Sequence, residues 1–200
     1  MQLQSNHHHE QGRILLQIAR AAITHALKAT EWKDESAGMS AQWLQQAGAT
    51  FITLTQHGRL RGCIGSLQAH QPLVENVCSN AVSAALYDTR FLPVTSDELE
   101  SIDIEISLLS ALQPIQFANE SDALKQLRPG VDGMILEYGV CRSTFLPQVW
   151  DNLPQPREFL AQLKVKAGLY PDFWHDTIRL SRYTVQKWRE TDFIEEKNHG

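Results

Sequence analysis

Two runs rich in β-branched and apolar residues, 50–56 and 59–67, are joined by nothing but His57 and Gly58. Two residues leave no room for a crossover, so the runs must lie side by side as an antiparallel hairpin. Strict alternation then places Ile52, Leu54, Leu60 and Ile64 on one face and Arg61 with Cys63 on the other. The apolar face needs a cover, and residues 72–88 supply one. Leu73, Val74, Val77, Cys78, Ala81, Val82, Ala85 and Leu86 recur at three- and four-residue steps, and Pro72 suits a helix start.

Helical and strand periods mix through the rest of the chain without a regular strand-helix-strand repeat. Residues 12–29 read as an amphipathic helix on Ile14, Leu15, Ile18, Ala22 and Ala26. A short helix is expected at 40–46, a strand at 102–108, a helix at 121–127, strands at 134–138 and 140–145, and a helix at 156–167 closed by Gly168. In 177–188 the alternation changes phase, because Ile178 and Leu180 keep one phase and Tyr183 and Val185 the other; a bulge or break near Ser181 accounts for it. The pattern predicts an α+β fold, a mainly antiparallel sheet with packed helices.

Composition narrows the function classes. The 200 residues carry a formal charge of −5, which argues against nucleic acid and anionic lipid as partners. No apolar run approaches the ~18 residues of a membrane span, and residues 1–5 lack the features of a signal peptide, so a cytoplasmic location is expected. Cys63, Cys78 and Cys141 are too dispersed for a disulfide framework or an iron–sulfur cluster, which places any radical chemistry on a partner. His7, His8 and His9 fall in a polar stretch, 1–11, read as a flexible tail and a solvated one rather than a metal site.

Chemistry concentrates in Leu60-Arg61-Gly62-Cys63-Ile64-Gly65. A guanidinium beside a thiol favours the thiolate, the helix from Pro72 adds positive potential if its N-terminus turns toward the sulfur, and Gly62 and Gly65 open space beside the strand. The alternative is equally concrete: Cys63 is a small packed side chain and the glycines mark a bulge or close packing. Glu105 lies on the polar face of its strand as a general base or cation holder, or as a solvated carboxylate. Arg90, two residues after Asp88, either pairs locally or binds an anion. His57 and His70 are further candidate bases for a thiol, whereas Cys78 sits on an apolar stripe and reads as core.

The same hexapeptide, with Pro72-Leu73, Asn80-Ala81, Ala84-Ala85, Asp88-Thr89-Arg90-Phe91 and Pro93-Val94, resembles the AMMECR domain family, of which LRGCIG is the signature. Ile104-Glu105-Ile106-Ser107, Gly130-Val131-Asp132-Gly133, Leu146-Pro147-Gln148-Val149 and Lys166-Ala167-Gly168-Leu169 extend the match over roughly 12–190. The resemblance implies one domain, 12–190, of two interleaved lobes with the signature strand near a cleft between them, followed by a polar tail at 191–200. It implies a protein like the A component of the AmmeMemoRadiSam system, encoded beside a Memo-like protein and a radical SAM protein, with no settled reaction or cofactor. Site candidates are then Cys63 and Glu105 for catalysis, and Arg61, Gly62, Gly65, Arg90 and Gln148 for a small anionic substrate. A noncatalytic module for a small ligand or a protein, with Cys63 merely structural, is the competing reading.

Overall fold

The computed structural model describes residues 2–28 and 41–197. The chain divides into two compact units, Met1–Leu109 with Gln186–Gly200, and Ser110–Val185. The first contains helix α1 (Gln2–Lys28), strands β1 (Thr50–Gln56) and β2 (Arg59–Gly65), helix α2 (Leu73–Leu86) and strand β3 (Ile102–Leu109). The second is built from β4 (Gln113–Pro114), α3 (Glu120–Gln126), β5 (Gly133–Tyr138), β6 (Cys141–Phe145), α4 (Pro156–Lys166) and β7 (Arg179–Tyr183), after which β8 (Val185–Arg189) and α5 (Glu190–Lys197) return to the first. Sheet orders are β2-β1-β3-β8 and β4-β7-β5-β6, so the fold is α+β.

The hairpin turns through His57 and Gly58 at φ 51° and 75°, the left-handed pair that a two-residue connection between twisted strands demands. β1 pairs antiparallel with both β2 and β3. Its alternation buries Ile52 and Leu54 completely, and β3 does the same with Ile104 and Ile106. α1 and α2 cover this face with Leu15, Ile18, Ile23, Val77 and Ala81. Each large side chain removed from water here contributes about 1.5–3 kcal/mol. The second unit has its own core, in which Trp150 stacks on Phe159 at 3.7 Å between ring centroids.

Five differences from the sequence reading have identifiable causes. Leu60 is 45% exposed instead of sharing the face of Ile52, because the β1–β2 register shifts: Leu54 opposes Gly62 while Thr55 opposes Leu60, leaving Arg61 as an extra residue in a bulge. Helix α1 begins at Gln2, so His7, His8 and His9 lie on it and not in a flexible tail over 1–11; His8 meets the Trp188 ring at 4.7 Å and His9 the Phe193 ring at 4.3 Å. That same contact with Phe193 places residues expected in a polar C-terminal tail on α5. The phase change within 177–188 is a change of sheet at Thr184, not a bulge at Ser181, since β7 and β8 belong to different sheets. At 42–45 the expected short helix is a single 3-10 turn, and Ser40 lies outside the described residues.

Candidate functional site

β2 is the edge of its sheet. Cys63 opposes Thr53 of β1, and its own N–H and C=O point away from that neighbour toward the open edge. An open strand edge has to be closed by something. Here the segment after α2 does it with side chains: Asp88 Oδ2 accepts the Cys63 N–H at 2.8 Å, and Arg90 Nη2 donates to the Cys63 carbonyl at 3.1 Å.

Asp88 and Arg90 are fastened to each other as well. Arg90 Nε donates to Oδ1 at 2.9 Å and Nη2 to Oδ2 at 2.7 Å, a two-pronged pair, while the Arg90 N–H donates to Oδ1 at 3.2 Å. The Asp88 side chain is 4% exposed and that of Arg90 55%. Hydrogen bonds from the Arg90 side chain, then from the Cys63 and Arg90 backbone, hold the Asp88 carboxyl far below the usual carboxylate range against the opposing effect of burial. The Arg90 guanidinium is correspondingly raised, first by its hydrogen bonds to Asp88. Thr53 Oγ1 donates to Cys63 Sγ at 3.4 Å. The thiol is half-buried.

Arg61, expected beside this thiol, is engaged elsewhere. Released from the alternation by the bulge, it binds Glu98 through Nε at 2.9 Å and Nη2 at 3.0 Å, and donates to the carbonyls of Leu92 at 2.8 Å and Pro93 at 3.3 Å. The Arg61 guanidinium, then the Thr95 N–H and hydroxyl, bring Glu98 down to about 2. The arginine that reaches Cys63 is Arg90. Nor does the N-terminus of α2 face the sulfur: Asp88 follows the C-terminal end of that helix, and a 14-residue helix puts its other end about 20 Å away.

The two glycines of the signature face structure and not open space. A Cβ on Gly62 would lie 2.2 Å from the Ala84 carbonyl oxygen of α2, and one on Gly65 would lie 2.4 Å from the Phe51 ring. Glu105 opposes Thr53 on the other side of β1, two strand spacings, roughly 10 Å, from the Cys63 position. Its carboxylate is held by Arg189 at 2.7 Å and Lys187 at 3.6 Å. Gln148 belongs to the second unit, in the 3-10 turn Pro147–Asp151, and His70 bonds Gln68 at 2.6 Å. Cys78 is pushed up to about 11 by burial, in keeping with a packed thiol. Among the described residues no group of three or more His, Cys, Asp or Glu side chains is placed to hold a metal ion, and no helix is long and apolar enough to cross a membrane.

Sequence reading overlooked how the start of β1 and the residue after β2 are fastened to α2. Asn76 Oδ1 accepts the Thr50 N–H at 2.9 Å and the Thr50 hydroxyl at 2.8 Å, Asn76 Nδ2 donates to Ser66 at 2.8 Å, and Asn80 Nδ2 donates to the Thr50 carbonyl at 3.0 Å. Two asparagines at i and i+4 within an apolar stripe are the signal that reveals such a network, because buried amides need partners. Asp88 was visible only as a neighbour of Arg90.

The α+β fold is also what the comparisons with known proteins support. A crystal structure of an uncharacterised protein from Pyrococcus horikoshii superimposes with a TM-score of 0.78 at 31% identity, covering 90% of this chain and 92% of that one. Residues 16–188 match the AMMECR1 family, and the chain belongs to it. Among its relatives are a protein of Methanothermobacter thermautotrophicus, 37% identical over 90% of this chain and 95% of its own length, and one of Methanocaldococcus jannaschii, 35% identical over 92% of each.

Proposed function

We propose that this AMMECR1-family chain is a cytoplasmic component of a modification or metabolic pathway shared with a Memo-like protein and a radical SAM protein, to which it contributes the Cys63 thiol as a nucleophile. The observation that carries the reading is the state of Arg90. Its Nε and Nη2 are committed to Asp88 and the Cys63 carbonyl, its guanidinium also meets the Cys63 side chain, and yet the side chain is 55% exposed beside the sulfur. A rigid cation with an exposed edge receives a carboxylate or phosphate and sets the electrophilic carbon of the same molecule against Sγ.

In the step that follows, the thiol releases its proton to solvent and the sulfur lone pair forms the S–C bond as the leaving group departs with its electron pair. Arg90 supports negative charge first on sulfur and then on the substrate. Thr53 orients the sulfur through its hydroxyl. Neither Arg61, spent on Glu98, nor Glu105, held by Arg189 and Lys187, enters this step. The resemblance of the signature region supports the pathway and its two partners.

The test is the rate of iodoacetamide alkylation at Cys63, followed by peptide mass spectrometry, in the parent chain and in Arg90→Ala and Arg61→Ala, together with pathway output in a Cys63→Ser strain. Arg90→Ala is expected to slow alkylation several-fold and Arg61→Ala to leave it within twofold, with output lost in Cys63→Ser. Intact output in Cys63→Ser transfers the site to the competing reading, a noncatalytic binding module in which Cys63 packs.

A further inference from the structure

Phe117, Phe145, Phe159, Phe173 and Phe193 each pack into one or other of the two apolar cores. The remaining two of the seven phenylalanines, Phe51 and Phe91, pack into neither, and both stand against residues of the Cys63 site. Phe51 opposes Gly65 of β2 while Thr53 opposes Cys63, so ring, hydroxyl and sulfur share the half-buried face of the sheet. Gly65 leaves a gap there and the ring fills it: a Cβ on Gly65 would overlap Cγ and Cδ1 of Phe51. Phe51 and Cys63 are then diagonal neighbours, roughly 7–8 Å apart and within reach of an aromatic side chain. At the open edge of β2, the Arg90 guanidinium carbon stands 5.5 Å from the centroid of the Phe91 ring, which shields one face of the cation from water.

The sulfur therefore has three unlike neighbours. Across the strand pair is the Thr53 hydroxyl, at the edge is Arg90, and along β2, where the next side chain on this face would otherwise stand, is the Phe51 ring. The hydroxyl and the guanidinium hold any small anion. An apolar ring outside the cores adds a preference among anions, because it gains contact only from a molecule with apolar surface of its own.

We infer that Phe51 is a specificity-determining residue of the Cys63 site, and that the anionic substrate carries a planar apolar group on its reacting carbon, laid against the Phe51 ring while its charge meets Arg90. The inference rests on the thiol reading above and narrows its substrate class. The test is the rate at which Cys63, located by peptide mass spectrometry, is alkylated by 2-bromo-2-phenylacetate and by bromoacetate, each divided by its rate with glutathione to remove intrinsic reactivity. In both reactions the thiol yields its proton to solvent, the sulfur lone pair forms the S–C bond, and bromide leaves with the electron pair of the C–Br bond. The phenyl reagent is expected to be favoured about fivefold in the parent and in Phe51→Tyr, and less than about twofold in Phe51→Thr. A parent without this preference overturns the assignment. So does a Phe51→Thr protein in which both reagents slow in proportion, because the ring then serves only to cover Gly65. A bromoacetate rate that Arg90→Ala leaves unchanged is a separate result: it removes the thiol reading itself, and the inference with it.

Discussion

Replacing Gly62 by alanine puts a single methyl group where the structure has none to spare. The added Cβ would sit 2.2 Å from the Ala84 carbonyl oxygen and 3.1 Å from its carbonyl carbon, and the nearer atom is helix backbone that cannot rotate aside. Ordinary contact begins near 3.4 Å, so strand and helix must part by about 1 Å. α2 is not free to give way, since Ala81, Ala84 and Ala85 are buried against the sheet and the Ala85 carbonyl accepts the Val94 N–H at 2.8 Å. Overpacking of this kind costs about 2–3 kcal/mol, which in a protein of this size lowers the melting temperature by roughly 5–10 °C. Gly58→Ala is the control within the same hairpin: nothing lies within 4 Å of its Cβ, and the cost is only that of a positive φ, about 1 kcal/mol. Thermal and urea denaturation of the two variants against the parent read the difference. A Gly62→Ala protein that melts with the parent, or above Gly58→Ala, refutes the argument that this glycine exists to let the helix close on the signature strand.

Acid should loosen the same edge. Glu98 titrates at about 2 when folded and near 4.3 when unfolded, so its pairing with Arg61 stabilises fully above about pH 4.5 and is lost as the pH falls toward 2; denaturation midpoints between pH 6 and 3 should fall less steeply in Glu98→Gln than in the parent. Asn76→Ala strips the Thr50 N–H, the Thr50 hydroxyl and the Asn80 amide of their shared acceptor and should cost about 2–3 kcal/mol in urea unfolding, whereas an exposed-site change such as Gln186→Ala should cost less than 0.5 or so. At pH 8 iodoacetamide should modify Cys63 well before Cys78, whose thiol titrates near 11; peptide mass spectrometry in the native state gives the order, and equal labelling would contradict the burial of Cys78.

Periodicity carried the sequence reading far, because period-2 and period-3.6 patterns are the direct imprint of one buried face: the hairpin, α2, β3, β5, β6 and α4 were legible within a residue or two. What could not be read is whatever depends on a partner remote in the chain. One unpaired residue in β2 leaves no trace in composition, yet it turns Arg61 away from Cys63 toward Glu98, 37 positions on. The local pairing of Asp88 and Arg90 was readable, but its use as a clasp on the Cys63 backbone was not, because nothing in a strand's own residues says that it will be an edge. The first turns of α1 looked like a tail for the same reason: the rings that hold His8 and His9 are at Trp188 and Phe193.

The return of β8 to the first unit sets an order of events during synthesis. At Gly12, α1 approaches Trp188 so closely that a Cβ would overlap the indole, and Arg20 of the same helix is paired with Glu190. Both partners leave the ribosome after every residue of Ser110–Val185. The N-terminal helix therefore emerges first and is completed last, waiting through the translation of a whole intervening unit whose ends clasp each other, Ser110 N–H on the Thr184 carbonyl at 2.9 Å and Thr184 N–H on the Ser110 hydroxyl at 3.0 Å. A chain truncated before residue 186 leaves that helix with its indole-facing flank bare and Arg20 without Glu190.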